Sequence, residues 1–168
     1  AALKITVFGT GYVGLVQGAV LAEVGHDVLC IDVDADKVAR LKEGQIPIFE
    51  PGLEEMVRRN QKEDRLAFTK DLRKAVREAS IVFIAVGTPQ HEDGSADLTH
   101  VLAVARDIAH AMNGYKVIVD KSTVPVKTGE KVAETIRRYA PSVPFDVVSN
   151  PEFLREGCAV ADLLNPDR

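Results

Sequence analysis

Short apolar runs rich in β-branched residues alternate along the chain with longer segments of helical period. The strand-like runs are KITVF (4–8), DVLCID (27–32), RLAFT (65–69), SIVFIAVGTP (80–89), KVIVDKST (116–123) and FDVVSN (145–150). Between them lie YVGLVQGAVLAEVG (12–25), ADKVARLKEG (35–44), GLEEMVRRNQKE (52–63), DLRKAVREA (71–79), LTHVLAVARDIAHAM (98–112) and KTGEKVAETIRRYA (127–140), each periodic as an amphipathic or buried helix. Gly25 and Gly44 stand where the first two helices should stop. Thr69 or Asp71 is placed to cap the fourth. Strands that are apolar on both faces and alternate with helices call for a parallel sheet covered on both sides. The expected fold is therefore α/β, a doubly wound sheet of six strands. Right-handed crossovers favour the order 3-2-1-4-5-6.

Composition narrows the class. With 168 residues and 46% hydrophobic positions, the chain suits one globular domain with a real core. A net charge of −4, with no basic run, argues against a nucleic-acid partner. Apolar runs end well short of the roughly 20 residues a membrane span needs. The two cysteines, Cys30 and Cys158, form no CxxC or Cys/His ligand set, so no metal is expected. This points to a cytosolic, reduced setting.

The first strand runs directly into VFGTGYVG, so Gly9, Gly11 and Gly14 form GxGxxG at a strand–helix junction. In that context the first glycine permits the tight turn and the second lets backbone approach a pyrophosphate. The third lets helix and strand pack closely. The free N–H groups of the following helix suit the phosphates. Asp32 ends the second strand, 18 residues after Gly14. A carboxylate there accepts hydrogen bonds from a ribose diol and repels a 2′-phosphate, which favours NAD over NADP. A solvated acid at a strand end is the bland alternative. Lys37, by sequence alone, reads as a surface helix lysine.

Ligands of doubly wound sheets bind outside the carboxyl ends of the strands. Three later strands end in VGTP, KSTVP and SNPEF. Thr88 and Thr123 thus stand where a nicotinamide ribose or a substrate would lie, and Pro89, Pro125 and Pro151 stop strand pairing. His91 reads as a loop residue, and His26, His100 and His110 as helix-end or surface residues. Cys30, inside a strand, reads as an inert core thiol. Cys158 follows a charged segment but has no histidine near it in sequence.

Several segments together resemble one family: ITVFGTGYVGLV, GHDV-CIDVD--K, P-FEPGLEEM, FIAVGTP---DGSADL, VDKSTVPV and NPEFLREG. They are similar to the UDP-glucose 6-dehydrogenase family, within the NAD-dependent nucleotide-sugar dehydrogenases, with GDP-mannose 6-dehydrogenase as a close relative. The likeness runs from 4 to 168, and EPGLEE and NPEFL are its most specific parts. It implies oxidation of a sugar C6 alcohol to a carboxylate, with two NAD molecules used in succession and an enzyme thioester formed on a cysteine. Gly9, Gly11, Tyr12, Val13 and Gly14 would then hold the pyrophosphate. Asp32 and Lys37 would contact the adenosine end, and Thr88 and Thr123 the nicotinamide side. Thr123 would also position the hydrolytic water. Glu152 would serve as general acid–base in thioester hydrolysis. Phe153, Leu154 and Arg155, together with Glu152, would line the sugar-nucleotide site, and Glu156 would reach the cofactor.

The same resemblance places the family's catalytic cysteine, lysine and asparagine in later chain, on a connecting helix and a second nucleotide-binding domain. Residues 1–168 therefore read as an N-terminal NAD-binding domain, with UDP-glucose as substrate and a homodimer expected for the longer enzyme. GDP-mannose, a UDP-N-acetylhexosamine, or plain NAD binding without turnover are the competing expectations.

Overall fold

A computed structural model describes residues 2–121 and 128–149 of the chain. Six strands form a single parallel sheet in the order β3-β2-β1-β4-β5-β6. They are β1 (Lys4–Phe8), β2 (Asp27–Ile31), β3 (Leu66–Thr69), β4 (Ile81–Ile84), β5 (Lys116–Asp120) and β6 (Phe145–Ser149). The helices are α1 (Tyr12–Glu23), α2 (Ala35–Lys42), α3 (Leu53–Lys62), α4 (Leu72–Glu78), α5 (Thr99–Ala111) and α6 (Thr128–Tyr139). The expected strand order and all six expected helices are present. The order reverses between β1 and β4, which pair from Ile5 with Ile81 to Phe8 with Ile84.

Alternate residues of the central strands β1, β2 and β4 feed two separate cores. Ile5, Val7, Val28 and Cys30 pack with α1, α2 and α3. Phe8, Ile31, Val82 and Ile84 pack with α4, α5 and α6. Helix α1 is apolar on nearly every side, because it packs against the sheet and also against α3. The ends of α1 and α2 are fixed by the same device. After α1, Gly25 N–H donates to the Ala22 carbonyl and His26 N–H to that of Leu21. After α2, Gly44 and Gln45 do the same to Leu41 and Arg40. Asp71, rather than Thr69, caps α4, accepting from Lys74 N–H at 3.2 Å.

One element is shorter than its pattern suggests. The run 80–89 forms a strand only over Ile81–Ile84. Pairing continues for two more bonds, Ala85 N–H to Phe8 and Lys121 N–H to Ile84. Beyond them, Val86 and Gly87 leave the ladder to line cavities at the sheet's carboxyl edge.

Candidate cofactor site

The turn from β1 into α1 is built around close backbone approach. Gly9 has φ +105°, and a Cβ there would come within 2.7 Å of the Ala85 carbonyl oxygen. A Cβ on Gly14 would sit 2.0 Å from the Gly9 carbonyl oxygen. Neither position accepts another residue. Gly11 is different: a Cβ there would meet no atom of the described residues within 4 Å. Its bareness serves no packing among the described residues and leaves room beside the turn. Gly11 is also the N-cap of α1, with no side chain capping the first turn. No capping side chain therefore occupies the start of α1, where the positive end of the helix dipole stands.

Asp32 stands one residue past β2. Its Oδ2 accepts from the Thr10 hydroxyl at 2.5 Å, and its Oδ1 accepts from Asp34 N–H at 3.0 Å. Lys37 Nζ lies 3.8 Å from Oδ2. Partial burial pushes the Asp32 carboxyl upward, but the Thr10 hydroxyl, the Asp34 amide and the Lys37 ammonium outweigh it, so the group stays below the ordinary aspartate range. Each carboxylate oxygen has room for about two donors, so the group still has capacity for a ribose diol. Lys37 is therefore more than a surface residue. It is held next to Asp32 by the turn that Asp34 makes when it caps α2 at Lys37 N–H, 3.1 Å.

Two cavities flank the glycine turn. The larger, about 350 Å³, opens beside Gly9 and Asp32. Its walls are apolar, from Ile31, Leu72, Val86 and Val104, with Lys70 and His100 at the polar margin. The smaller, about 180 Å³, lies beyond Gly11, Tyr12 and Val13 and is bounded by Thr88 and by Lys121 from the end of β5. Together they form a cleft along the carboxyl edge, where the strand order reverses, and the place and chemistry suit a dinucleotide. Among the described residues, no group of three or more His, Cys, Asp or Glu side chains is arranged to hold a metal.

Of the residues singled out by sequence, Gly9, Gly11, Tyr12, Val13, Gly14, Asp32, Lys37 and Thr88 come together around these two cavities. Thr123, Glu152, Phe153, Leu154, Arg155 and Glu156 lie outside the described residues, as does Cys158. Cys30 is fully buried, and burial pushes its thiol up to about 12, as befits a core residue. His100 is exposed at the start of α5, as read from the sequence, and it also lines the larger cavity. Thr10, Lys70 and Lys121 were missed. Lys121 carries a legible signal, a charged Asp120-Lys121 pair directly after the apolar run 117–119, and is buried.

The residues fit NAD: an uncapped helix start behind a bare glycine for the pyrophosphate, and an ionised carboxylate beside an apolar cavity for adenosine. Comparison with known proteins agrees. Residues 3–168 match the profile of the UDP-glucose/GDP-mannose dehydrogenase family, NAD binding domain. Over 167 residues the chain is 55% identical to a UDP-glucose 6-dehydrogenase of Rhizobium meliloti, covering 99% of this chain and 38% of that protein. It is 53% identical to the Bacillus subtilis UDP-glucose 6-dehydrogenase TuaD, covering 98% of this chain and 36% of the relative. A solved UDP-glucose dehydrogenase from Pyrobaculum islandicum superposes with a TM-score of 0.95 at 44% identity, over 99% of this chain and 40% of that one. A GDP-mannose dehydrogenase from Pseudomonas aeruginosa gives 0.93 at 36%, over 98% and 39%. The chain thus spans well under half the length of these relatives.

Proposed function

The chain belongs to the UDP-glucose/GDP-mannose dehydrogenase family as its NAD-binding domain, and from that premise we propose that it is the cofactor half of a nucleotide-sugar 6-dehydrogenase acting on UDP-glucose. The observation that carries the reading is the cleft at the strand-order reversal, with Asp32 at one end and Tyr12 and Thr88 at the other. The 55% identity to a UDP-glucose 6-dehydrogenase supports UDP-glucose over GDP-mannose.

The reaction removes two hydrides from C6 and adds one water, so an alcohol becomes a carboxylate. NAD, bound in this cleft, supplies the hydride acceptor for each step. The residues of the chain hold it in place. The first turn of α1 takes the pyrophosphate, Asp32 orients the adenosine ribose, and Thr88 bounds the nicotinamide side. The family resemblance assigns Thr123 and Glu156 to the cofactor and Glu152, Phe153, Leu154 and Arg155 to the sugar nucleotide. The aldehyde is held as a hemithioacetal by a cysteine thiolate supplied from outside these 168 residues, and loss of the second hydride from that adduct leaves the thioester. Glu152 then moves the proton of the water that releases the acid, with Thr123 positioning that water. The enzyme works in the cytosol as a homodimer. No helix among the described residues is long and apolar enough to cross a membrane.

The test is stoichiometry. The full-length enzyme should form two NADH for each UDP-glucose consumed. Absence of NADH with every UDP- and GDP-sugar tried would end this reading, and faster turnover of GDP-mannose would reassign the substrate.

A further inference from the structure

The loop between α2 and α3 inverts the usual sorting of side chains. Phe49 is 95% exposed, while its neighbour Glu50 is only 5% exposed. Loops run over the surface, and a carboxylate withdrawn from water is costly unless hydrogen bonds replace its hydration. Four charged side chains are buried among the described residues: Glu50, Lys116, Asp120 and Lys121. Lys116 donates to the Ala79 carbonyl at 2.6 Å, at the end of the sheet away from the cleft. Asp120 and Lys121 end β5 at the cleft. Glu50 belongs to no strand, yet its Oε2 accepts from the Tyr12 hydroxyl at 3.0 Å, across 38 residues of sequence.

Tyr12 is the first residue of α1 and walls the smaller cavity. The loop that brings Glu50 to it is anchored on both sides. Ile46 and Ile48 pack against the core of that face, Leu53 N–H donates to the Glu50 carbonyl at 3.0 Å, and Arg58 Nε donates to the Gly44 carbonyl at 3.3 Å. The anchored loop is a rigid arm that ends on the tyrosine.

We propose that Glu50 is a positioning residue of the cofactor site: its buried carboxylate accepts the hydrogen bond of the Tyr12 hydroxyl and fixes that ring along the nicotinamide-side cavity. This rests on the reading that the cavity receives that end of NAD. A phenol has one proton to give. With it committed to Glu50, the Tyr12 oxygen meets any further group in the cleft only as an acceptor, and the first turn of α1 is tied to the loop through its leading residue.

The test uses the full-length enzyme and NAD itself, with calorimetric Kd and steady-state constants for four variants. Tyr12→Phe and Glu50→Met, which keeps the buried volume, should each weaken NAD about tenfold, the scale of a hydrogen bond to a charged group. KM for UDP-glucose should stay within about twofold. The double variant should bind NAD no more weakly than either single one, since both remove the same bond. Glu50→Gln should regain most of the affinity, because its amide oxygen still accepts. Independent, multiplying losses would overturn the proposal. So would a parallel rise of both KM values, which a general loosening of the loop would cause. If Glu50→Met does not fold, Tyr12→Phe with Glu50→Gln decides: wild-type affinity in the first, or loss in the second, overturns it. A wild-type enzyme that binds no NAD overturns the functional reading instead. Wild-type binding with all four variants unchanged overturns the role of Glu50 alone.

Discussion

On the proposed reading, Asp32 concentrates the cofactor preference in one side chain. Replacing it with asparagine keeps the shape but removes the charge. Asp32→Asn should weaken NAD by about tenfold, the cost of losing charge-assisted hydrogen bonds, and should narrow the gap to NADP, because a 2′-phosphate is no longer repelled. Titration of both dinucleotides against both proteins checks this, and a variant with unchanged preference would refute it. The pH dependence follows from the same geometry. The folded-state pKa of Asp32 is depressed, so its contribution is present above the ordinary aspartate value of about 3.9 and is lost as pH falls through the lower folded value. NAD affinity should therefore be flat between about pH 5 and about pH 8 as far as this group is concerned. Asp32 and the three glycines were legible in the sequence because their signal is local: a fixed spacing at a strand–helix junction. Thr10, Lys70, His100 and Lys121 were not, because strand register and crossover geometry bring them to the cleft. Glu50 stood in plain view within EPGLEE, but nothing local says that it turns inward.

At the level of elements, α1 and β2 meet more closely than side chains normally allow. A Cβ on Gly18 would lie 2.6 Å from the Cys30 sulfur. Gly18→Ala should therefore destabilise the fold by about 1–3 kcal/mol through overpacking, and Cys30→Ala in the same chain should recover much of it, since the obstructing atom is removed. Urea unfolding of the two single variants and the double variant measures the coupling, and simple additivity would count against it. Burial also leaves the Cys30 thiol protonated at neutral pH, so iodoacetamide should modify it only in unfolded protein, as peptide mapping would reveal. The helices were readable from periodicity, and the strand order from the crossover handedness of the doubly wound pattern. The length of β4 was not. Its apolar pattern runs through Ala85 and Val86, but these residues are apolar because they back the glycine turn and the cleft, a second use of hydrophobicity that periodicity cannot separate from strand pairing.

At the level of the whole molecule, the described residues build a cleft at the carboxyl edge of the sheet, while the chain matches under two-fifths of the length of its sequence relatives. The 168 residues alone are expected to bind NAD and to form no NADH with UDP-glucose; measurable turnover would show that the chemistry does not depend on a cysteine from elsewhere. The two hydrophobic cores give the cleft another property. The larger cavity is walled by Phe8, Ile31 and Val86, which belong with α4, α5 and α6, whereas Tyr12, Val13 and Ala85 of the smaller one belong with α1, α2 and α3. A dinucleotide lying across the edge would touch both cores, on opposite faces of the sheet. It would then act as a rivet. Saturation at about 100 times Kd adds about 2.7 kcal/mol to the folded state, and amide exchange should slow in α1 and in α5 together, where adenosine alone would slow chiefly the α5 side.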